Sequence, residues 1–100
     1  MPELTVIWWR DIPAQVVARA GRRRTAKAEL PERFQEAIDA AAMRAGLIGT
    51  DSYLEEWRRE TRPCGDGLEA EAAAEARRLE DSYTNDDLER LVRQNGKDEE

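Results

Sequence analysis

The stretch TVIWWRDIPAQVVARA, Thr5 to Ala20, constrains this chain more than any other, because it gathers most of the strand-favouring residues before helix-favouring composition takes over. Within Leu4 to Arg10, alternation sets Leu4, Val6 and Trp8 on one face and Thr5, Ile7 and Trp9 on the other. Both faces are apolar, as in a strand that is central in its sheet or covered on both sides. Asp11-Ile12-Pro13 interrupts the run, since proline removes a ladder donor and restricts the residue before it, so a turn or bulge is expected there. Strand character resumes over Ala14 to Ala20, with Val16 and Ala18 on one side and Val17 and Arg19 on the other. It stops at Gly21 and the arginines Arg22, Arg23 and Arg24. The prediction is an antiparallel hairpin.

Downstream the spacing changes from two to three and four. Pro31 suits a first helical turn, Glu32 favours the positive end of the helix dipole, and Phe34, Ile38, Ala41 and Ala45 recur at helical spacing up to the natural stop at Gly46. Leu47 and Ile48 are expected to tuck under the sheet, with a turn at Gly49-Thr50-Asp51-Ser52. Tyr53 to Glu60 fits two patterns: Thr50 or Asp51 could cap a helix, while Tyr53, Glu55, Trp57 and Arg59 alternate. We assign a strand, because a lone hairpin is marginal and a third strand beside the first completes a sheet.

Arg62 to Gly67 is a loop by composition, and Asp66 with Glu69 has the spacing of an N-cap and its reciprocal carboxylate. A helix follows with Leu68, Ala72, Ala76, Leu79 and Tyr83 on one stripe. A shorter one is capped by Thr84, turns Leu88, Leu91 and Val92 inward and stops near Asn95-Gly96. The predicted fold is α+β: a small antiparallel three-stranded sheet in the order β-β-α-β-α-α, with helices on one face. Residues 1–96 form a single domain and 97–100 a frayed acidic tail.

One hundred residues suit one domain with a modest core. The net charge of −6 disfavours nonspecific nucleic-acid binding, and it is unevenly spread: residues 1–30 hold six basic and three acidic side chains, the remainder ten and nineteen. The opening MPELTVIWWR lacks the pattern of a secretory signal and no apolar run is long enough for a bilayer, so a cytoplasmic location without membrane contact is expected. A single cysteine and no histidine exclude an internal disulfide, the usual zinc ligand sets and any Ser-His or Cys-His pair. No metal or cofactor is expected.

The segments TVIWWRDIPAQVV, LPERFQEAIDAAAMRAGL and GTDSYLEEWRR, with the PCGDGLEAE that follows, resemble the small bacterial "virulence factor" domain family, which also forms the carboxyl end of the larger conserved virulence factor C. There it follows a scaffold-like domain and helical repeats; for this chain the resemblance implies the stand-alone form. The resemblance implies no catalytic residues. It associates stand-alone members with genes of methyl transfer and folate one-carbon metabolism.

Four sets of residues are candidates for function. Ile7, Trp9 and Val17, with Trp57, are expected to form an apolar patch on an open sheet face, an interface for a protein partner or for self-association. On that reading Trp9→Ala weakens assembly and spares the fold. Arg22, Arg23, Arg24 and Lys27 form the one basic cluster, expected to be a solvated hairpin end and not a nucleic-acid site. Cys64 precedes a predicted helix start, where a dipole can activate a thiol, although most lone cysteines are inert. Glu55, Glu56, Asp66 and Glu69 lack a calcium-loop spacing and read as surface charge and caps. The leading expectation is a noncatalytic interaction module or accessory subunit. The alternative is an enzyme subunit whose Arg62–Gly67 loop or basic hairpin completes a site with another chain.

Overall fold

The computed structural model describes residues 1–98. Strands β1 (Glu3–Trp9), β2 (Ile12–Ala20) and β3 (Arg24–Glu29) are followed by α1 (Glu32–Arg44) and α2 (Asp51–Glu55). Strand β4 (Trp57–Pro63), α3 (Leu68–Ser82) and α4 (Asn85–Arg93) complete the chain. The class is α+β as expected, but the antiparallel sheet has four strands, in the order β3-β2-β1-β4. The additional one is β3. Its sequence RTAKAE carries a single β-branched residue, so nothing local marks it as a strand. It pairs because β2 would otherwise expose a row of unpaired amides and carbonyls, and because its small Ala26 and Ala28 pack against the core beneath α3.

The β1–β2 hairpin turns at Arg10 and Asp11, one residue earlier than the expected interruption, with Arg10 at a φ of 51°. Proline is accommodated inside β2 by a bulge: Ile7 pairs with Gln15 but Trp8 pairs with Pro13, leaving Ala14 as the extra residue. The region Tyr53–Glu60 divides. Thr50 caps the short helix α2 by accepting from the Tyr53 amide, and the strand starts only at Trp57 and runs to Pro63, beside β1 as predicted. Arg62 and Pro63 therefore belong to β4 and not to the following loop. The cap of α3 is Gly67, with no side-chain bond from Asp66, whose carbonyl instead takes the Leu68 amide. Thr84 and Asp87 form a full capping box at α4, where the Thr84 backbone N–H holds the Asp87 carboxyl below its ordinary pKa.

Helix α3 packs across β2 and β3, and α1 packs on α4 and β2. Leu4, Val6, Val16 and Ala18 join Leu68, Ala72, Ala76 and Leu79 in one core that also takes in Phe34, Ile38, Leu88 and Leu91. Leu47 packs against this core but Ile48 does not; it is 52% exposed. Within the expected tail, the Asp98 amide donates to Asp11 Oδ2 at 2.6 Å and its carboxylate pairs with Arg90 at 2.7 Å. Residues 99 and 100 lie outside the described residues. Among the described residues no helix is long and apolar enough to cross a membrane.

Candidate functional site

The strand registers lay out the sheet face opposite α3 as three rows. Reading from β3 to β4, the first row is Thr25, Arg19, Glu3 and Pro63. The second is Lys27, Val17, Thr5 and Thr61, and the third is Glu29, Gln15, Ile7 and Arg59. A hydrogen bond of 2.9 Å between the Thr5 and Thr61 hydroxyls ties β1 to β4 on this surface. Ile7 and Val17 are partly exposed at its centre, between long charged side chains at its margins. Two shallow depressions of about 320 and 480 Å³ meet at Ile7 and Gln15, the larger one bounded by Leu30 and Trp57. Among the described residues, Glu3, Arg19, Lys27, Glu29 and Arg59 form no ion pair and no side-chain hydrogen bond with each other or with any other group.

Trp9 does not belong to this exposed patch. Its parity is that of Ile7, yet it is fully buried. Its end of the face is covered by α2 and by the turn at Asn95-Gly96. The Tyr53 ring lies 5.7 Å from the indole, Trp9 Nε1 donates to the Tyr53 carbonyl at 3.0 Å, and the Gly96 backbone rests against the six-membered ring. Arg10 locks the cover in place, stacking 5.1 Å above Trp9 while donating to Glu56 Oε1 at 2.6 Å and to the Asn95 carbonyl at 2.8 Å. Trp57 stands at the boundary, half-buried, edge-on to Tyr53 at 6.1 Å.

The basic cluster is dispersed. Arg22 and Arg23 are exposed in the β2–β3 turn, Arg24 opens β3 and donates to the Asp66 carbonyl at 3.0 Å, and Lys27 stands on the open face. Arg23 and Arg24 face Asp66 and Glu69 across a cleft of about 430 Å³, so the hairpin and the 64–67 loop are neighbours. Cys64 is half-buried at the end of β4, where its amide donates to the Pro2 carbonyl. Glu55 is exposed on α2, Glu56 is the acceptor for Arg10, and among the described residues no three Cys, Asp or Glu side chains converge on a common point. Tyr53 and Tyr83 have pKa values raised chiefly by burial, which keeps both phenols protonated at neutral pH.

Sequence reasoning did not single out Arg19, Arg59, Glu3 and Glu29 on the face, nor the buried Glu75. The first two could have been found from the alternation of β2 and of the predicted third strand. Glu29 needed β3. These positions fall largely inside one match: a family model described as virulence factor aligns with residues 7–92. The chain belongs to the virulence factor family. No curated protein and no solved structure matches it. The stretch that defines this virulence factor domain runs from Ile7 in β1 to Val92 in α4, and so includes Val17, Lys27, Glu29 and Arg59 of the open face.

Proposed function

We propose that this virulence factor domain is a noncatalytic interaction module, an accessory subunit that works in the cytoplasm by docking a protein through the open sheet face around Ile7 and Val17. The observation that carries this reading is the composition of that face: two aliphatic side chains left partly exposed at its centre, with unpaired charges at the margins. An apolar centre with a polar margin is the ordinary anatomy of a protein interface. Trp57, at the end of the larger depression, extends the apolar part.

A second reading, a subunit that contributes part of an enzyme site from the basic hairpin and the 64–67 loop, is favoured by one observation. Those two segments face each other across the cleft between Arg23, Arg24, Asp66 and Glu69.

The test is the native mass of the chain in its own cell extract, compared with that of Ile7→Asp. The variant should run as a smaller species while its unfolding midpoint stays close to that of the wild type, because Ile7 is outside the buried core. An unchanged native mass in Ile7→Asp contradicts docking through this face, and a shift caused by Arg23→Ala instead favours the second reading.

A further inference from the structure

We infer that the occupant of the open face is a second copy of this chain, packed sheet on sheet about a two-fold axis that runs parallel to the strands between β1 and β2. This rests on the docking reading above and names its partner. The reason is the placement of the unpaired charges in the three rows. A two-fold axis in that direction sets each position of β1 over the same row of the partner's β2, and each position of β4 over the partner's β3. In the first row Arg19 then faces the partner's Glu3, and Glu3 faces the partner's Arg19. In the third row Glu29 faces the partner's Arg59, and Arg59 faces the partner's Glu29. Glu3 and Arg19 are already cross-strand neighbours in one chain and gain a second opposite charge in the pair, whereas Glu29 and Arg59, on the two outer strands, acquire one there.

The apolar centre follows the same operation. Val17 lies over the partner's Thr5 and Ile7 over the partner's Gln15, so neither aliphatic side chain faces a charge. Strand directions are preserved, which is the aligned arrangement that twisted sheets favour when they stack. The competing two-fold, perpendicular to the strands through the middle row, puts Glu3 over the partner's Ile7 and Arg59 over the partner's Pro63. It leaves all four charges unmatched, so the charges select one orientation.

The size of the face sets the strength. Strand spacings of about 4.8 Å and row spacings of about 6.7 Å give a footprint on the order of 200 Å² between the outer Cα atoms. That is far below the roughly 800 Å² per partner of a stable complex, so the dimer is weak, reversible and held partly by ion pairs that salt screens.

The experiment is sedimentation equilibrium of the purified full chain and of two variants, Glu29→Arg and Arg59→Glu, alone and mixed. The wild type should dimerise reversibly within the range up to about 1 mM, and more weakly as salt is added. Each reversal alone places like charges across the axis twice and should weaken association at least about tenfold. The equimolar mixture restores both kinds of opposite pair and should recover the dimer as a heterodimer. A wild type that stays monomeric throughout, single variants that dimerise like the wild type, or a mixture no better than its components would each overturn the inference. A purified monomer whose native mass in extract is nevertheless reduced by Ile7→Asp overturns the second copy as occupant and leaves the docking face standing.

Discussion

Two adjacent tryptophans divide their labour within β1. Trp8 turns to the helix side, with the Tyr83 ring edge-on at 6.4 Å and the Arg58 guanidinium 5.0 Å from its centroid. Trp9 turns to the other side and is closed over by Tyr53, Arg10 and Gly96. The alternation of TVIWW assigns these sides correctly. What alternation does not contain is the cover, which apart from the adjacent Arg10 comes from residues more than forty and more than eighty positions away. Trp9 is a core residue. Replacing it with Ala removes an indole, and its hydrogen bond to the Tyr53 carbonyl, from a closed site, so Trp9→Ala should cost about 3–5 kcal/mol in denaturant unfolding. An unchanged stability with altered assembly would return Trp9 to the interface. Gly96 shows the same packing from the other side. A Cβ there would stand 2.8 Å from the Trp9 ring at a φ of 86°, so the position admits little but glycine.

At the scale of elements, periodicity made α1, α3, α4, β1 and β2 legible, because each carries its own buried stripe. The two segments that were not legible lack one. Strand β3 is set by the edge it completes, and α2 is a single capped turn whose alternating residues imitate a strand. Long-range charge also joins elements here without a local pattern. Glu75 of α3, only 6% exposed, accepts from Arg78 Nε at 2.9 Å on its own helix and from Arg62 of β4 at 3.2 Å, which fastens α3 to the outer strand. The Arg78 hydrogen bonds first, and both guanidinium charges after them, hold its carboxyl below the ordinary 4.5 despite burial. A carboxyl with a depressed pKa in the folded state stabilises the fold above its unfolded pKa, and that contribution is lost as pH falls through the folded value. Both arginines are more than half exposed, which limits the effect, so Glu75→Gln should cost about 1–2 kcal/mol at neutral pH. The gap between variant and wild type should narrow as pH drops below about 4.5 in urea titrations. A gap that is constant across the acid range would show that Glu75 is not the group that couples α3 to pH.

For the molecule as a whole, the sheet has one face sealed by α3 and another sealed only at the Trp9 end. The sealed end was the part of the predicted interface that failed, and the open rows around Ile7 and Val17 are the part that remains available. Five charged side chains on those rows form no ion pair within the described chain, and four of them, Glu3 with Arg19 and Glu29 with Arg59, match about the two-fold along the strands and not about the one across them, while Lys27 meets Thr61. Isoleucine methyl NMR reads this directly, since the chain has four isoleucines in distinct settings: Ile7 on the open face, Ile12 and Ile38 fully buried, and Ile48 exposed elsewhere. As protein concentration rises to about 1 mM, the Ile7 methyl should move progressively while those of Ile12, Ile38 and Ile48 stay in place. An Ile7 signal that does not respond, or an Ile48 signal that moves in its stead, would contradict association through the open sheet face.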